Sequence, residues 1–172
     1  MILVATTEEF HLAKEHIHGY TIVQMGVGAS NVIRTISNAP LDKNNCQFIN
    51  IGFAGSNTLP VGTVTEVSQT FRLLDGKVEF EDPLNGQRLC DHGFPCYTSN
   101  NFVTENTAEG PVLYDMELNY IAAFPITLIG AVKIVSDNLD VCEYENTVDT
   151  SSPKVWDEVR KTVEKIIYRN QR

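Results

Sequence analysis

The sequence predicts an α/β domain with a mostly parallel, twisted central sheet flanked by helices, and two observations predict it. Short apolar, β-rich runs recur without polar alternation, the pattern of strands covered on both faces. Helical periodicities fall between several of these runs, the order that layered α/β folds require. At 172 residues, the chain has the length of one domain and can bury a core without disulfides or metal staples. A single domain over residues 1–172 is therefore expected.

The first run is residues 2–5, followed by a short helical pattern over 12–17. The second is 21–25, after which "GVGAS" turns the chain into a helical pattern over 31–36. Runs at 48–51 and 61–67 flank the glycine turn "GFAGSN". Residues 73–97 are rich in Gly, Pro and Asp and read as hairpins or long loops. A fifth run, 112–114, leads through "YDMEL" to an apolar helical stretch over 118–124, and a sixth, 128–135, stops abruptly on Ser136, Asp137 and Asn138. The last helix is the clearest. Ser152 is placed to cap it, Pro153 sits in its first turn, and Trp156, Val159, Val163 and Ile167 recur at spacings of three and four.

Charge and cysteine usage narrow the partners. Lys and Arg number 13 against 22 Asp and Glu, a formal charge of −9 that opposes a phosphate backbone; nucleic acid is not an expected partner. No apolar run reaches bilayer length, and "MILVATTEEF" has neither a basic start nor a long apolar centre. No membrane partner is expected, and the cytoplasm is the expected location. Cys46, Cys90, Cys96 and Cys142 then read as reduced thiols. Cys90, His92 and Cys96 lie close together, but no second pair at zinc spacing completes a ligand set, so no metal is expected.

Ligands of open α/β sheets gather beyond the carboxyl ends of strands. There the chain puts Glu8 and Glu9, "GVGAS", "GFAGSN", "DMEL" and "SDN", so two glycine turns share one rim with several carboxylates. Singly each signal is weak. "GVGASN" lacks the third glycine of a dinucleotide fingerprint and no Gly-Lys-Ser/Thr is present, so no cofactor is expected. Glu8 and Glu9 would suit a helix start through its dipole. Glu117 alone would read as a solvated first-turn carboxylate, and Asp137 as a strand-closing turn residue. Lys133 interrupts an apolar run; it either faces water from an edge strand or is buried with a partner.

Taken together and in order, "INIGFAGSNTLPVGTVTEV", "YDMELNYIA" and "VKIVSDN" resemble the purine nucleoside phosphorylase and nucleosidase superfamily, and within it the methylthioadenosine/S-adenosylhomocysteine nucleosidase branch. The resemblance implies a nucleoside phosphorylase-like sheet, a purine nucleoside as ligand, water or phosphate as co-reactant, and a homo-oligomer, most simply a dimer. It implies that Asp137 is the general acid toward N7 of the base and that Glu9, in "ATTEEF", activates water. Phe102, in "YTSNNFV", would stack on the base while the Val103 backbone reads its edge. Met116 and Glu117 would grip the ribose. Ala54 and Gly55 in the glycine turn, Ser136 beside Asp137, and Lys133 where the branch has an arginine complete the substrate-binding set.

Chemistry agrees with such roles. Breaking a ribosyl bond to a purine builds positive charge on the sugar and negative charge on the departing base, so one carboxyl must give a proton while another stays basic. Asp137 can do the first near neutrality only if burial or the bound base raises its pKa above ~4. Phosphorolysis would need phosphate-binding arginines near the glycine turns, and residues 52–67 contain no basic residue; hydrolysis is the expected reaction, with phosphorolysis or binding without turnover as alternatives.

Overall fold

The apolar runs form strands at the heart of the sheet, and their connections decide its direction. The computed structural model describes residues 1–38, 46–78, 85–106, 108–145 and 150–172. Its first elements are β1 (Ile2–Val4), α1 (Thr7–His16), β2 (Ile22–Gln24), α2 (Ala29–Asn38), β3 (Gln47–Ser56), β4 (Val64–Leu74), β5 (Lys77–Val78), β6 (Gln87–Arg88) and β7 (Phe94–Thr98). They are followed by β8 (Leu113–Asp115), α3 (Leu118–Ala122), β9 (Thr127–Asp137), α4 (Val141–Glu145) and α5 (Pro153–Asn170).

The expectation of a mostly parallel open sheet is corrected: the sheet is mixed and part of it closes into a barrel. β1 pairs parallel with β2 and β3, and β3 with β9. β4, however, runs antiparallel to β9, and β8 antiparallel to β3, while β7 lies parallel to both β4 and β8. The ring β3, β8, β7, β4, β9 therefore returns to β3. The cause is the short helix-free connection 57–63, because a parallel return needs a crossover of about a dozen residues or more. Within 73–97, read as hairpins or long loops, β5 turns back antiparallel on β4 as a hairpin, and residues 94–98 add a strand, β7, that was not expected; residues 79–84 lie outside the described residues.

Side-chain parity assigns the layers. Ile2 and Val4 face α1 and α5, packing with Ala13, Trp156, Val159, Val163 and Ile166, while Leu3 between them faces Val32 and Ile36 of α2 and Ile121 of α3. The barrel interior holds Ala54, Val67, Cys96, Leu113, Ala131 and Val135. On α5 the buried stripe ends on Ile166, with the expected Ile167 only partly buried. Ser152 caps that helix by accepting from Val155 N, and the buried Trp156 indole donates to Thr150 O at 3.0 Å. None of the described helices is long and apolar enough to cross a membrane.

Candidate active site

A cavity of about 240 Å³ opens where β1, β3, β8 and β9 end. Glu9, Ala54, Gly55, Phe102, Val103, Met116, Glu117, Ser136 and Asp137 all line it, so the fold gathers nearly every residue singled out in the sequence.

Asp137 ends β9 fully inside the protein. The register of β3 on β9 slips between Ala54/Val135 and Gly55/Asp137, leaving Ser136 as the extra residue; a bulge of this kind re-aims the side chains beside it. Gly55 makes room, since a Cβ there would stand 2.8 Å from Asp137 Oδ1. Ser136 Oγ donates to Asp137 Oδ2 at 2.8 Å and Leu139 N to Oδ1 at 2.9 Å, and the chain then turns away through Leu139 at φ +67°. Burial raises the Asp137 carboxyl above its ordinary value, and these two bonds oppose the shift without cancelling it. Asn138 ties the strand end down by donating to Ser56 O and Leu59 O.

Glu9 is held differently. Thr6 caps α1 and forms a capping box with it: Ala5 N and Thr6 N donate to Glu9 Oε2 at 2.7 and 2.8 Å, and Phe53 N donates to Oε1 at 2.8 Å. The helix-start role read from the sequence is thus present, and the same carboxylate lines the cavity. Oε1, with one protein donor, keeps acceptor capacity for a water.

Glu117 stands just before α3, buried, with Oε1 accepting from Gly28 N of the "GVGAS" turn at 2.8 Å. Burial, then the neighbouring Asp115 carboxylate, lift its pKa to about 7, against the opposing pull of Lys133 and the Gly28 N–H.

Lys133 lies in the interior strand β9 between β3 and β4, not at an edge. Its ammonium is buried and bonds Asp115 Oδ2 at 2.7 Å, and it does not line the cavity. Burial alone would lower its pKa, but Asp115, then Cys96 and Glu117, hold it above the ordinary value. It nevertheless approaches Glu9: a Cβ on Gly52 would meet Glu9 Oε1 at 3.1 Å and Lys133 Nζ at 3.3 Å. Glycine at 52 lets both side chains reach the same spot.

Asp115 and Tyr144 are among the lining residues that were not singled out. Asp115, besides Lys133, accepts from Thr98 Oγ1 at 2.6 Å and Leu118 N at 2.9 Å; its proximity to Met116 and Glu117 was the available signal. Tyr144 of α4 meets Phe102 edge to face, ring centres 5.8 Å apart, and its phenol is raised by burial and then by Glu9, Glu8, Glu117 and Asp137. A helix as short as α4 leaves no periodicity to find. Among the described residues no lysine or arginine lines the cavity, and Arg34 is spent on Asn31 at the surface.

Neither the protein-family models nor the curated protein sequences contain a match. Solved structures do match. The chain is similar to a Chlamydia trachomatis MTAN bound to MTA, at 13% identity over 98% of this chain and 96% of that one, with a TM-score of 0.70. It is similar to the 5′-methylthioadenosine/S-adenosylhomocysteine nucleosidase of Helicobacter pylori with butyl-thio-DADMe-Immucillin-A, at 13% identity, covering 95% and 97% of the two chains with a TM-score of 0.71. It is also similar to futalosine hydrolase of Helicobacter pylori, at 13% identity, 95% and 96% coverage and a TM-score of 0.69. The fold of this chain is therefore that of the purine nucleoside phosphorylase and nucleosidase superfamily, to which these neighbours belong.

Proposed function

We propose that the protein is a nucleosidase that hydrolyses the N-glycosidic bond of a purine nucleoside, an adenosine with a modified 5′ position being the substrate its structural neighbours suggest. The observation that carries this reading is the convergence of Asp137, Glu9 and Glu117 on one cavity in three different environments. Asp137, with a raised pKa and its carboxyl lining the cavity, is the acid that shares a proton with N7 of the base. Glu117 reaches the ribose hydroxyls, and Met116 and Phe102 bound the sugar and the base. Glu9 Oε1 takes a proton from water on the face opposite the leaving base. Lys133 lies behind these groups, paired with the lining Asp115, and favours the charged form of Glu117.

The carboxylates favour the cationic sugar of an oxocarbenium-like transition state. The lack of a basic residue among the described lining residues supports water over phosphate as nucleophile. A second reading, nucleoside binding without turnover, is favoured by one observation: three backbone N–H groups already occupy the Glu9 carboxylate.

Incubation with a panel of purine nucleosides, with and without phosphate, tests these readings. Release of free base together with free or 5′-modified ribose, unchanged in phosphate-free buffer, is expected. Ribose 1-phosphate and phosphate dependence would make the protein a phosphorylase, and saturable binding without base release would make it a binding module. The dimer that the resemblance implies is checked by light scattering on the same preparation.

A further inference from the structure

Cys90, His92 and Cys96 do not assemble. Cys96 lies on β7 inside the barrel, fully buried beside Asp115 and Lys133, whereas Cys90 and His92, just beyond β6, close against Glu66 of β4. Cys90 Sγ, a His92 ring nitrogen and a Glu66 carboxylate oxygen lie within 4.8 Å of one another. Thiolate, imidazole and carboxylate are the donors Zn²⁺ takes, at bond lengths of about 2.0–2.3 Å. Such bonds place tetrahedral donors roughly 3.3–3.6 Å apart, within reach of small side-chain rotations.

Further contacts prepare this triangle. Arg169, at the end of α5, donates to Glu66 Oε2 at 2.8 Å, while Oε1 faces His92 Nε2 at 2.9 Å. A ligating carboxylate is commonly fixed by an outer hydrogen bond of this kind. Glu66 is nearly buried, whereas the His92 side chain is 59% exposed, so a cation can enter from solvent.

We propose that Cys90, His92 and Glu66 form a Zn²⁺-class metal site with solvent as the fourth ligand, joining the segment after β6 to β4 and, through Arg169, to the end of α5. On binding, the Cys90 thiol gives its proton to solvent, the proton that His92 Nε2 shares with Glu66 leaves that nitrogen for solvent or, by exchange, for Nδ1 so that its lone pair meets the metal, and the thiolate and carboxylate charges balance the cation. None of the three lines the cavity bounded by Glu9 and Asp137, so the site is independent of the proposed catalysis.

Chelator-stripped full-length protein, titrated with Co²⁺ as a spectroscopic stand-in and then with Zn²⁺ in competition, tests the proposal. The expected result is one equivalent of Co²⁺ per chain with a thiolate-to-cobalt charge-transfer band that Zn²⁺ displaces. Cys90→Ser abolishes the band, and His92→Ala weakens binding by about tenfold or more. Cys142→Ser, at an exposed thiol elsewhere, leaves it intact. A parent protein with no saturable band, a band that survives Cys90→Ser, or unchanged affinity in His92→Ala would overturn the assignment and leave a hydrogen-bonded His92–Glu66–Arg169 cluster. Circular-dichroism melts of the metal-free variants confirm that the chains compared are folded.

Discussion

Glu117 offers a prediction whose size follows from its surroundings. In the folded chain its carboxyl keeps a proton up to about pH 7, against 4.5 for the ordinary group, because burial and the Asp115 carboxylate disfavour the anion. The unfolded chain gives that proton up near the ordinary value. Between those two pH values unfolding releases a proton, so Glu117 makes stability fall as pH rises, by about 3 kcal/mol across the window. Below it both states are protonated and above it both are ionised, so the contribution is flat on either side. Glu117→Gln removes this titration. The amide can still accept from Gly28 N through its oxygen, and the other groups titrate alike in both proteins. Urea unfolding of parent and variant from pH 4 to 8 should therefore show the variant gaining about 3 kcal/mol relative to the parent as pH rises, or roughly 6–12 °C in Tm for a chain of this size. A difference that stays within about 1 kcal/mol across the range, or moves the other way, would refute the argument that Glu117 holds its proton.

Three further outcomes are expected. Lys133→Met leaves Asp115 buried without its cation and should cost about 3–5 kcal/mol in urea unfolding; a loss below about 1 kcal/mol would mean that Asp115 is satisfied by Thr98 and Leu118 alone. Glu9→Gln should lower base release by about two to four powers of ten and cost about 1–3 kcal/mol of stability, since an amide cannot accept at both ends and leaves a backbone N–H unmet; normal turnover in a destabilised variant would assign Glu9 to the capping box alone. Asp137→Asn should also lose about two to four powers of ten in rate, yet stay folded and bind purine, because Ser136 Oγ can accept from the new amide while the retained oxygen takes Leu139 N; turnover within a few-fold of the parent at matched Tm would show that Asp137 only closes its strand.

What could be read from the chain divides by the range of the interactions involved. Asp137, Glu117 and the glycine turns stand in ordered local motifs, and the fold puts them around one cavity. The C-terminal helix carried its own cap, proline and stripe, and only the last stripe position shifted, to Ile166. Barrel closure was not legible, because the pairings of β4 with β9 and β7 depend on long-range register and no residue in 64–74 announces its neighbour. The same distance hid the partner of Lys133: Asp115 was visible as one acid among several, and only the fold puts its oxygen 2.7 Å from the ammonium. Cys90 and His92 were noticed, but their third neighbour comes from Glu66, on a different strand.

The acidity of the cavity bears on which reaction it can hold. Glu9, Asp115, Glu117 and Asp137 all line it, and Lys133 behind them is committed to Asp115. Four carboxylates can share such a space only if their charge is managed separately: Asp115 by an ammonium, Glu9 by three backbone N–H groups, Glu117 by retaining a proton to about pH 7, and Asp137 by burial that raises its pKa. What remains is a carboxylate at Glu9 and, at Asp137, a carboxyl that burial makes more ready to hold a proton than an ordinary aspartate. A charge about 5 Å from a single carboxylate interacts with it by roughly 3 kcal/mol at an effective dielectric of about 20. That sign attracts a sugar becoming cationic and repels a phosphate dianion brought in to attack it. Neutral water meets no such barrier, so the charge arrangement that would slow phosphorolysis is the one that would assist hydrolysis.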